Sequence, residues 1–333
     1  MTGENLDHKK VLWLFYILFA GTCFLSKPGL AMEGPIAGTP FEQHVVHDTL
    51  GRKITYYVSL PASEPKPIML VIQGSGCTPV LTMRAGGASS SVYNLEKFAR
   101  DGRFTVIAVE KPFSGLVAKA GQAPGCSDAF NSDFTAESWQ IALQAALNDA
   151  RKLRRVERHR TLVFGSSEGA VMASALAAND PSITDVVFMS GSGTTQLFDF
   201  IAQAYRSCFN ASACLAEIEK NLVEIKSDPS SGTKFAWGHP YKRWTSFFSV
   251  DPSALLLRSK ARVYIAIGTA DDSVPAISQE IVVAKLLVAG RDVTVRRVVD
   301  GGHSLNRRDA KSWGQLDQEQ EAALNWFGRT GTP

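Results

Sequence analysis

The amino-acid sequence predicts an α/β fold with a mostly parallel sheet, helices on both faces and a helical cap insertion. Apolar segments of strand length alternate with helical segments from about residue 43 onward, and repeated strand–helix units build parallel sheets. Some of the short segments, such as residues 67–72, are wholly apolar, which is typical of strands that are buried on both faces. The alternation is interrupted once, between residues 194 and 260.

The length and composition are those of a globular protein. The 333 residues suffice for one large α/β domain with an insertion, or for two small domains. Hydrophobic residues make up 45% and charged residues 20% of the chain, and the formal net charge is +3. Basic residues cluster only between Arg151 and Arg160, at the end of a predicted helix, where cations favour the helix dipole. Because no aromatic residues are interleaved with this cluster, we predict no nucleic-acid partner.

The N-terminus has the pattern of a secretory signal peptide. Lys9 and Lys10 precede the apolar run 11–25, and Gly29-Leu30-Ala31 follows it. The run is shorter than the roughly 20 residues that a membrane span requires. We therefore expect residues 1–31 to be removed, with an uncleaved anchor as the alternative. Residues 32–333 would then be a periplasmic or secreted protein without a membrane contact.

The number of cysteines also indicates a periplasmic or secreted protein. Removal of the leader leaves four of the five cysteines, namely Cys77, Cys126, Cys208 and Cys214. An even number in an exported chain indicates disulfide bonds, and three pairings are open, with free buried thiols as the alternative. Cys208 with Cys214 would close a short loop, whereas Cys77 with Cys126 would join two loops near the predicted site. The sequence contains no C-x-x-C pair, so we predict no metal site built on cysteine.

Strand and helix positions follow from apolar periodicity. The predicted strands are, in chain order, 43–48, 53–60, 67–72, 104–109, 161–164, 184–189, 263–267 and 293–299. The predicted helices are 91–100, 135–156, a small-residue helix ending near 178, 196–209, 214–225, 276–289 and 318–327. The first two strands flank a turn at Leu50-Gly51-Arg52 and so form a hairpin, and the helix at 135–156 has apolar residues at helical spacing. Residues 111–133 contain glycine and proline and are predicted to be a loop.

The interruption at about 194–260 is partly helical and rich in aromatic residues. Its aromatic residues include Phe198, Phe200, Tyr205, Phe209, Phe235, Trp237, Tyr241, Trp244, Phe247 and Phe248. In parallel sheets, ligands gather at the carboxyl ends of the strands. We therefore interpret this segment as a cap over that edge, in which the aromatic residues either line a pocket or form the core of the cap itself.

The candidate nucleophile is Ser167. It lies in Gly165-Ser166-Ser167-Glu168-Gly169, a G-x-S-x-G segment between the strand at 161–164 and a helix. A serine on such a strand-to-helix turn has its hydroxyl pushed out of the sheet edge, and the flanking glycines allow strand and helix to approach each other closely. The neighbouring Ser166 points elsewhere on the turn and is expected to be structural.

A serine hydroxyl needs a base near neutral pH, and histidine is suited to that role. Of the six histidines, His303 follows the last strand in a Gly-Gly-His loop, at the same sheet edge as Ser167. It is our candidate base. His239 lies in the insertion, where a side chain is poorly fixed relative to the sheet, and it is expected to line the pocket or to be hydrogen-bonded within the cap.

A base of this kind needs a carboxylate that holds its tautomer. Asp271 follows directly after the strand at 263–267, at its carboxyl end, and it is our candidate. Asp272 is the alternative, and Asp300 is expected only to cap the turn before His303.

Backbone N–H groups must stabilise the negative oxygen of a tetrahedral intermediate, at about 3–4 kcal/mol for each donor. We predict that one belongs to Glu168, directly after the nucleophile. The other is expected in the loop Gln73-Gly74-Ser75-Gly76-Cys77, with Ser75 as the first choice and Gly76 as the second. The alternative is that this loop is only a tight turn.

Together these segments resemble the α/β-hydrolase superfamily. The resemblance rests on G-S-S-E-G around Ser167, G-T-A-D-D-S-V-P around Asp271, G-G-H at His303 and the Q-G-S-G loop, and it covers roughly residues 43–328. The order Ser, Asp, His agrees with the family. The resemblance implies an eight-stranded sheet and hydrolysis of an ester, thioester or peptide through an acyl-enzyme. The chain is most similar to esterase and dienelactone-hydrolase or prolyl-peptidase-like catalytic domains, but Gln73 replaces a histidine that is frequent in relatives.

The sequence thus predicts an exported serine hydrolase that cleaves a small-molecule ester, carboxylesterase-like and with a preference for an apolar acyl group. No cofactor and no metal ion is expected. A peptidase or amidase on the same three side chains is the alternative, and a catalytically inactive hydrolase fold that serves in binding is a third hypothesis. The oligomeric state, the substrate and the disulfide pairing do not follow from the sequence.

Overall fold

Short apolar segments of the chain form the centre of a nine-stranded sheet in the computed structural model. The structure describes residues 34–84, 87–118, 125–307, 309 and 313–329. The predicted leader at 1–31 lies outside the described residues. Residues Met32–Pro333 form one compact unit.

The elements are numbered in chain order within the described residues. The strands are β1 (Gly34–Pro35), β2 (Phe41–His47), β3 (Lys53–Ser59), β4 (Lys66–Ile72), β5 (Leu81–Arg84), β6 (Gly87–Ser90), β7 (Thr105–Val109), β8 (Leu116–Val117), β9 (Gly125–Cys126), β10 (Val156–Ser166), β11 (Asp185–Met189), β12 (Phe235–Ala236), β13 (His239–Pro240), β14 (Arg262–Gly268) and β15 (Val293–Val298). The helices are α1 (Leu95–Asp101), α2 (Asp128–Asp133), α3 (Ala136–Ala150), α4 (Glu168–Asn179), α5 (Gln196–Ser207), α6 (Ala211–Ser227), α7 (Tyr241–Phe247), α8 (Pro252–Arg258), α9 (Ala276–Val288) and α10 (Gly314–Gly328).

The main sheet is antiparallel at one edge and parallel everywhere else. Its strand order is β1-β2-β3-β7-β4-β10-β11-β14-β15. β1, β2, β3 and β7 pair antiparallel in succession, and the pairs from β7 to β15 are all parallel. The predicted fold class is confirmed. The sheet has one strand more than the resemblance implies, because the two residues of β1 pair with β2 at the edge.

Apolar side chains cover both faces of the sheet because successive strand residues point to opposite sides. Leu70 of β4 lies in one buried cluster together with Trp139 of α3, whereas its neighbour Met69 lies in the other, together with Phe98 of α1 and Phe327 of α10. Each face of the sheet is thus sealed by helices. The carboxyl edge of the parallel strands is left for the loops.

The segment predicted as a cap contains α5, α6, the small hairpin β12–β13, α7 and α8. Phe200, Trp237, Trp244 and Phe248 pack on one another there, with ring centroids 4.7–6.2 Å apart. Leu256 of α8 lies instead in the main core, since α8 packs on α4 and α9. The boundaries of the insertion at about 194–260 stay a prediction.

All four cysteines of the described chain form disulfide bonds, and the pairing left open by the sequence is Cys77–Cys126 and Cys208–Cys214. The first bond joins the loop after β4 to β9. The second staples the end of α5 to the start of α6. Among the described residues, no helix has both the length and the apolar character that crossing a membrane requires.

Candidate active site

Ser167 occupies a strained turn between β10 and α4. Its backbone angles are φ 57° and ψ −127°, a conformation that costs a non-glycine residue about 1–3 kcal/mol. The backbone N–H of Ser167 donates to the carbonyl of Met189 at the end of β11, 2.9 Å away. A side chain at Gly165 would collide with the backbone carbonyl of Gly169, and one at Gly169 with that of Ile72. The turn therefore requires glycine at both positions.

Three side chains form a continuous hydrogen-bonded series at the carboxyl edge of the sheet. His303 Nε2 lies 3.0 Å from Ser167 Oγ, and His303 Nδ1 lies 3.0 Å from Asp271 Oδ2. The structure thus brings together the three side chains that the sequence predicted to be nucleophile, base and acid. Their loops follow β10, β14 and β15, which are close neighbours on the parallel side of the sheet.

Asp271 is held in place by its own loop. Its carboxylate is fully buried, and Oδ1 accepts the backbone N–H groups of Ser273 and Val274 at 2.8 and 2.9 Å. Asp300, expected only to cap the turn before His303, donates its backbone N–H to Thr269 Oγ1 and places its carboxylate 3.8 Å from Arg307. The side chain of Asp272 is exposed to solvent.

Ser75 and Glu168, the residues predicted to supply the oxyanion N–H groups, both lie close to Ser167. Ser75 lines the same cavities as Ser167 and His303, and a Cβ atom at the preceding Gly74 would lie 3.7 Å from that of Ser167. Glu168 is the first residue of α4, where backbone N–H groups point away from the helix and are free to bind an anion. No hydrogen bond between described residues uses either N–H. Gly76 has a φ of 95° and lines neither cavity.

The side chain of Glu168 is part of a buried charge cluster that sequence reasoning missed. Its two carboxylate oxygens accept from Lys111 Nζ at 2.8 Å and from Arg243 Nη2 at 2.7 Å. Burial alone would raise the pKa of Glu168, but the two cations lower it to about 2. Burial lowers the pKa of Lys111. The sequence does offer one signal for Lys111. This residue follows a buried strand, which places it at the carboxyl edge of the sheet.

Two cavities meet at Ser167. The first, of about 390 Å³, has apolar walls that include Phe98, Phe164 and Leu305. The second, of about 370 Å³, lies under the aromatic residues of the predicted cap and is lined by Phe200, Trp237 and Trp244. The aromatic residues of this segment therefore both pack on one another and line a pocket, so that the two interpretations hold together.

Polar side chains give the second cavity its electrostatic character. His239 and Arg243 line it, and burial together with the charge of Arg243 lowers the pKa of His239 to about 4. His239 is thus a neutral wall residue, packed edge-on against Trp244. Asp199 also lines this cavity and accepts a hydrogen bond from the Ser192 hydroxyl. Burial raises the pKa of Asp199 to about 6.

No group of three or more His, Cys, Asp and Glu side chains within the described ranges is arranged to hold a metal ion. The chemistry that the geometry offers is that of an activated hydroxyl beside two free backbone N–H donors, with a buried carboxylate behind the imidazole.

Comparison with known proteins links this geometry to one family. Residues 80–311 match the family model described as the alpha/beta hydrolase family. No curated protein matches the chain in sequence.

Solved structures resemble the chain in fold. Acylaminoacyl peptidase of Pyrococcus horikoshii has a TM-score of 0.61 at 12% identity, over 87% of this chain and 42% of that one. Acetyl xylan esterase from Paenibacillus sp. R4 has a TM-score of 0.58 at 17% identity, over 90% and 87% of the two chains. Est1E from Butyrivibrio proteoclasticus has a TM-score of 0.54 at 15% identity, over 86% and 97%. The chain thus spans about two fifths of the peptidase and nearly the full length of the two others.

Proposed function

The chain belongs to the alpha/beta hydrolase family, and from that premise we propose that it is an exported serine hydrolase that cleaves an ester bond through an acyl-enzyme. The observation that carries the proposal is the hydrogen-bonded series from Ser167 Oγ through His303 to the buried carboxylate of Asp271. Export is supported by the two disulfide bonds, since such bonds persist mainly in oxidising compartments.

In the proposed reaction, Ser167 Oγ forms a bond to the ester carbonyl carbon while its proton passes to His303 Nε2. The carbonyl oxygen becomes an oxyanion that accepts the N–H groups of Ser75 and Glu168. The ester C–O bond then breaks, His303 returns its proton to the leaving alkoxide, and the acyl group stays on Ser167. Water that His303 deprotonates attacks this acyl group, which releases the carboxylic acid and restores the serine hydroxyl. Asp271 stabilises the imidazolium formed in both steps.

An ester of small or medium size with an apolar acyl group suits the site best. The first cavity offers an apolar wall beside Ser167, and its volume of about 390 Å³ lies at the lower end of the range of small-molecule pockets. A small-molecule ester is therefore the proposed substrate class, with no cofactor.

A peptidase or amidase is the second candidate, and the fold similarity to acylaminoacyl peptidase supports it. Esters and amides that share one acyl group separate the two functions. We expect the ester to be turned over faster than the matched amide by more than 100-fold. A larger kcat/KM for the amide would favour the second candidate.

The test of the nucleophile uses two neighbouring serines. We expect Ser167→Ala to lower kcat for a p-nitrophenyl ester by at least 10⁴-fold, on the order of the loss when a catalytic serine is removed. The same change should abolish labelling by a fluorophosphonate probe. Ser166→Ala is the matched control and should change kcat by less than about fivefold. Full turnover by Ser167→Ala would contradict the proposal.

The test of the acid uses two neighbouring carboxylates. Asp271→Asn should lower kcat about 10⁴-fold, because the amide would favour the wrong tautomer of His303. Asp272→Asn is the control, with an effect of less than about fivefold. Equal losses in the two variants would show that Asp271 is not the group that orients the base.

A further inference from the structure

We propose that Lys111 is a positioning residue of the oxyanion hole, where its ammonium group holds and polarises the peptide that carries the Ser75 N–H and also anchors Glu168. This inference rests on the proposed serine hydrolase function. It assigns a role to a buried lysine that takes no part in the proton transfers.

The contacts of Lys111 reach both proposed oxyanion donors. Its Nζ donates to the carbonyl oxygen of Gly74 at 2.7 Å, to that of Gly76 at 3.0 Å and to Glu168 Oε1 at 2.8 Å. An ammonium group has three N–H bonds, and each of them is matched by one of these acceptors. The side chain is fully buried, so that water does not compete for them.

The contact with Gly74 acts on the Ser75 N–H directly. The carbonyl of Gly74 and the N–H of Ser75 are the two ends of one peptide group. When a cation withdraws electron density at the carbonyl oxygen, the N–H at the other end becomes a stronger donor, because hydrogen bonds in series polarise one another. Lys111 therefore strengthens the Ser75 N–H at the moment when negative charge develops on the substrate oxygen.

Charge balance argues that Lys111 is more than a partner for Glu168. Arg243 already pairs with the second oxygen of that carboxylate at 2.7 Å. Counted over these direct ion pairs, two cations and one carboxylate leave a formal charge of +1 in a place where burying a charge costs several kcal/mol. Glu110 is a further carboxyl group near Lys111, but it forms no ion pair with it among the described contacts. Such a surplus cation beside a developing oxyanion is stabilising in the transition state.

A hydrogen bond and a disulfide bond fix the two ends of the loop at residues 73–77. Lys111 binds the carbonyl of Gly74, and the disulfide bond with Cys126 holds Cys77. The carbonyl of Cys77 also accepts the N–H of Gly115 at 2.8 Å. Ser75 lies between these anchors, and its N–H direction is set by both.

The experiment compares Lys111→Met with the double variant Lys111→Met/Glu168→Gln and with Glu168→Gln alone. The double variant removes the carboxylate along with the lysine, so that Arg243 stays as the single charge and the cluster keeps its net charge of +1. No carboxylate is left with one partner fewer, but Arg243 loses its ion pair with Glu168, so the thermal unfolding midpoint of each variant is measured to confirm that it is folded. Lys285→Met, which removes a lysine that bonds to Ser253 and lines neither cavity, is the control.

We expect Lys111→Met and the double variant to lower kcat about 10- to 100-fold, less than full removal of an oxyanion donor, with KM changed less than threefold. Affinity for a trifluoromethyl ketone, which forms an oxyanion on the serine, should fall by the same factor. Lys285→Met should be unchanged in both assays.

A double variant with the kcat of Glu168→Gln would overturn the inference, since Lys111 would then only compensate Glu168. A wild-type kcat in Lys111→Met, alongside an inactive Ser167→Ala, would overturn the inference and leave the proposed function intact. A wild-type protein with neither ester turnover nor fluorophosphonate labelling would overturn both.

Discussion

Among the individual side chains of the candidate active site, Asp199 is a carboxyl group whose ionised form the structure disfavours. The groups that contact its carboxylate are the neutral hydroxyls of Ser192 and Ser278, and Asp271 adds a second negative charge nearby. Burial, followed by this repulsion, raises the pKa of Asp199 from 3.8 to about 6. Glu168 shows the opposite shift because two cations bind it. Neighbouring carboxylates in one site thus differ in pKa for reasons that the contacts explain.

The raised pKa of Asp199 makes stability depend on pH. The folded state binds the Asp199 proton more tightly than the unfolded state, so the penalty is absent below about pH 4, grows up to about pH 6 and is constant above it. A shift of about two units corresponds to roughly 3 kcal/mol. We therefore expect Asp199→Asn to raise the free energy of unfolding by up to about 3 kcal/mol at pH 8 and by almost nothing at pH 4.

Urea denaturation at pH 4, 5, 6 and 8 measures this difference. Asp292→Asn, just before β15, is the control and should give the same small difference at each pH. A gain for Asp199→Asn that is as large at pH 4 as at pH 8 would contradict the electrostatic explanation.

The sequence located some of these side chains and missed others for a physical reason. Ser167, Asp271 and His303 each lie in a loop directly after a strand, and local sequence records that position. The bonds of Glu168 join it to Lys111, 57 residues away, and to Arg243, 75 residues away. Such pairing depends on how distant segments pack. Chain order places Lys111 at the carboxyl edge of the sheet but does not indicate that it pairs with Glu168 in a buried cluster.

Among the secondary-structure elements, β10 and α4 decide the geometry of the site. They pack so closely at the turn that Gly165 and Gly169 leave no room for a side chain. The strain at Ser167 is thereby sustained by the packing of a buried strand and a helix whose residues are almost all buried. A hydroxyl on a mobile loop would not be held at 3.0 Å from His303.

Gly165→Ala tests this packing. Its Cβ atom would collide with the backbone carbonyl of Gly169, which cannot move without the first turn of α4. We expect a loss of at least about 3 kcal/mol in the free energy of unfolding, together with a fall in ester turnover.

Gly328→Ala, at the end of α10 where nothing lies within 4 Å, is the control, and it should change stability by less than about 1 kcal/mol. The thermal unfolding midpoints of the two variants decide the comparison. A wild-type midpoint for Gly165→Ala would contradict the steric argument.

The predictions from sequence were wrong for a short helix and for the ends of two longer ones. The predicted loop at 111–133 contains α2, a helix of six residues capped by Ser127, which is too short to show a helical period. The helix predicted at 135–156 ends at Ala150. Leu153 and Val156, beyond that end, pack on the same core, so apolar spacing continued past the helix. The helix expected from residue 91 begins at Leu95, because Asn94 takes a left-handed conformation.

Across the described chain, the two disulfide bonds act over very different lengths. Cys77–Cys126 spans 49 residues and Cys208–Cys214 spans 6. A cross-link stabilises mainly by restricting the unfolded chain, and the effect grows with the length of the closed loop. The first bond also fixes the loop of the proposed oxyanion hole, whereas the second only joins α5 to α6.

Replacing each pair by alanine should therefore give unequal results. For Cys77→Ala/Cys126→Ala we expect a loss of about 4 kcal/mol in the free energy of unfolding, and for Cys208→Ala/Cys214→Ala about 2 kcal/mol. The first variant should also lose ester turnover because Ser75 is less well held. Urea denaturation and kcat, measured on both variants, check the order. A larger loss from the shorter loop would refute the account.

The bond between Arg243 and Glu168 has a consequence for how the site opens. Arg243 lies on α7, in the segment predicted as a cap, and Glu168 begins α4. Lifting α7 away would break a buried ion pair, at a cost of about 3–5 kcal/mol. At a factor of ten for each 1.4 kcal/mol, fewer than about one molecule in a hundred would be open at any time. Helix α7 is thus a fixed wall. Under the proposed function, discrimination among esters then depends on their fit to a preformed site and not on the energy of opening a lid.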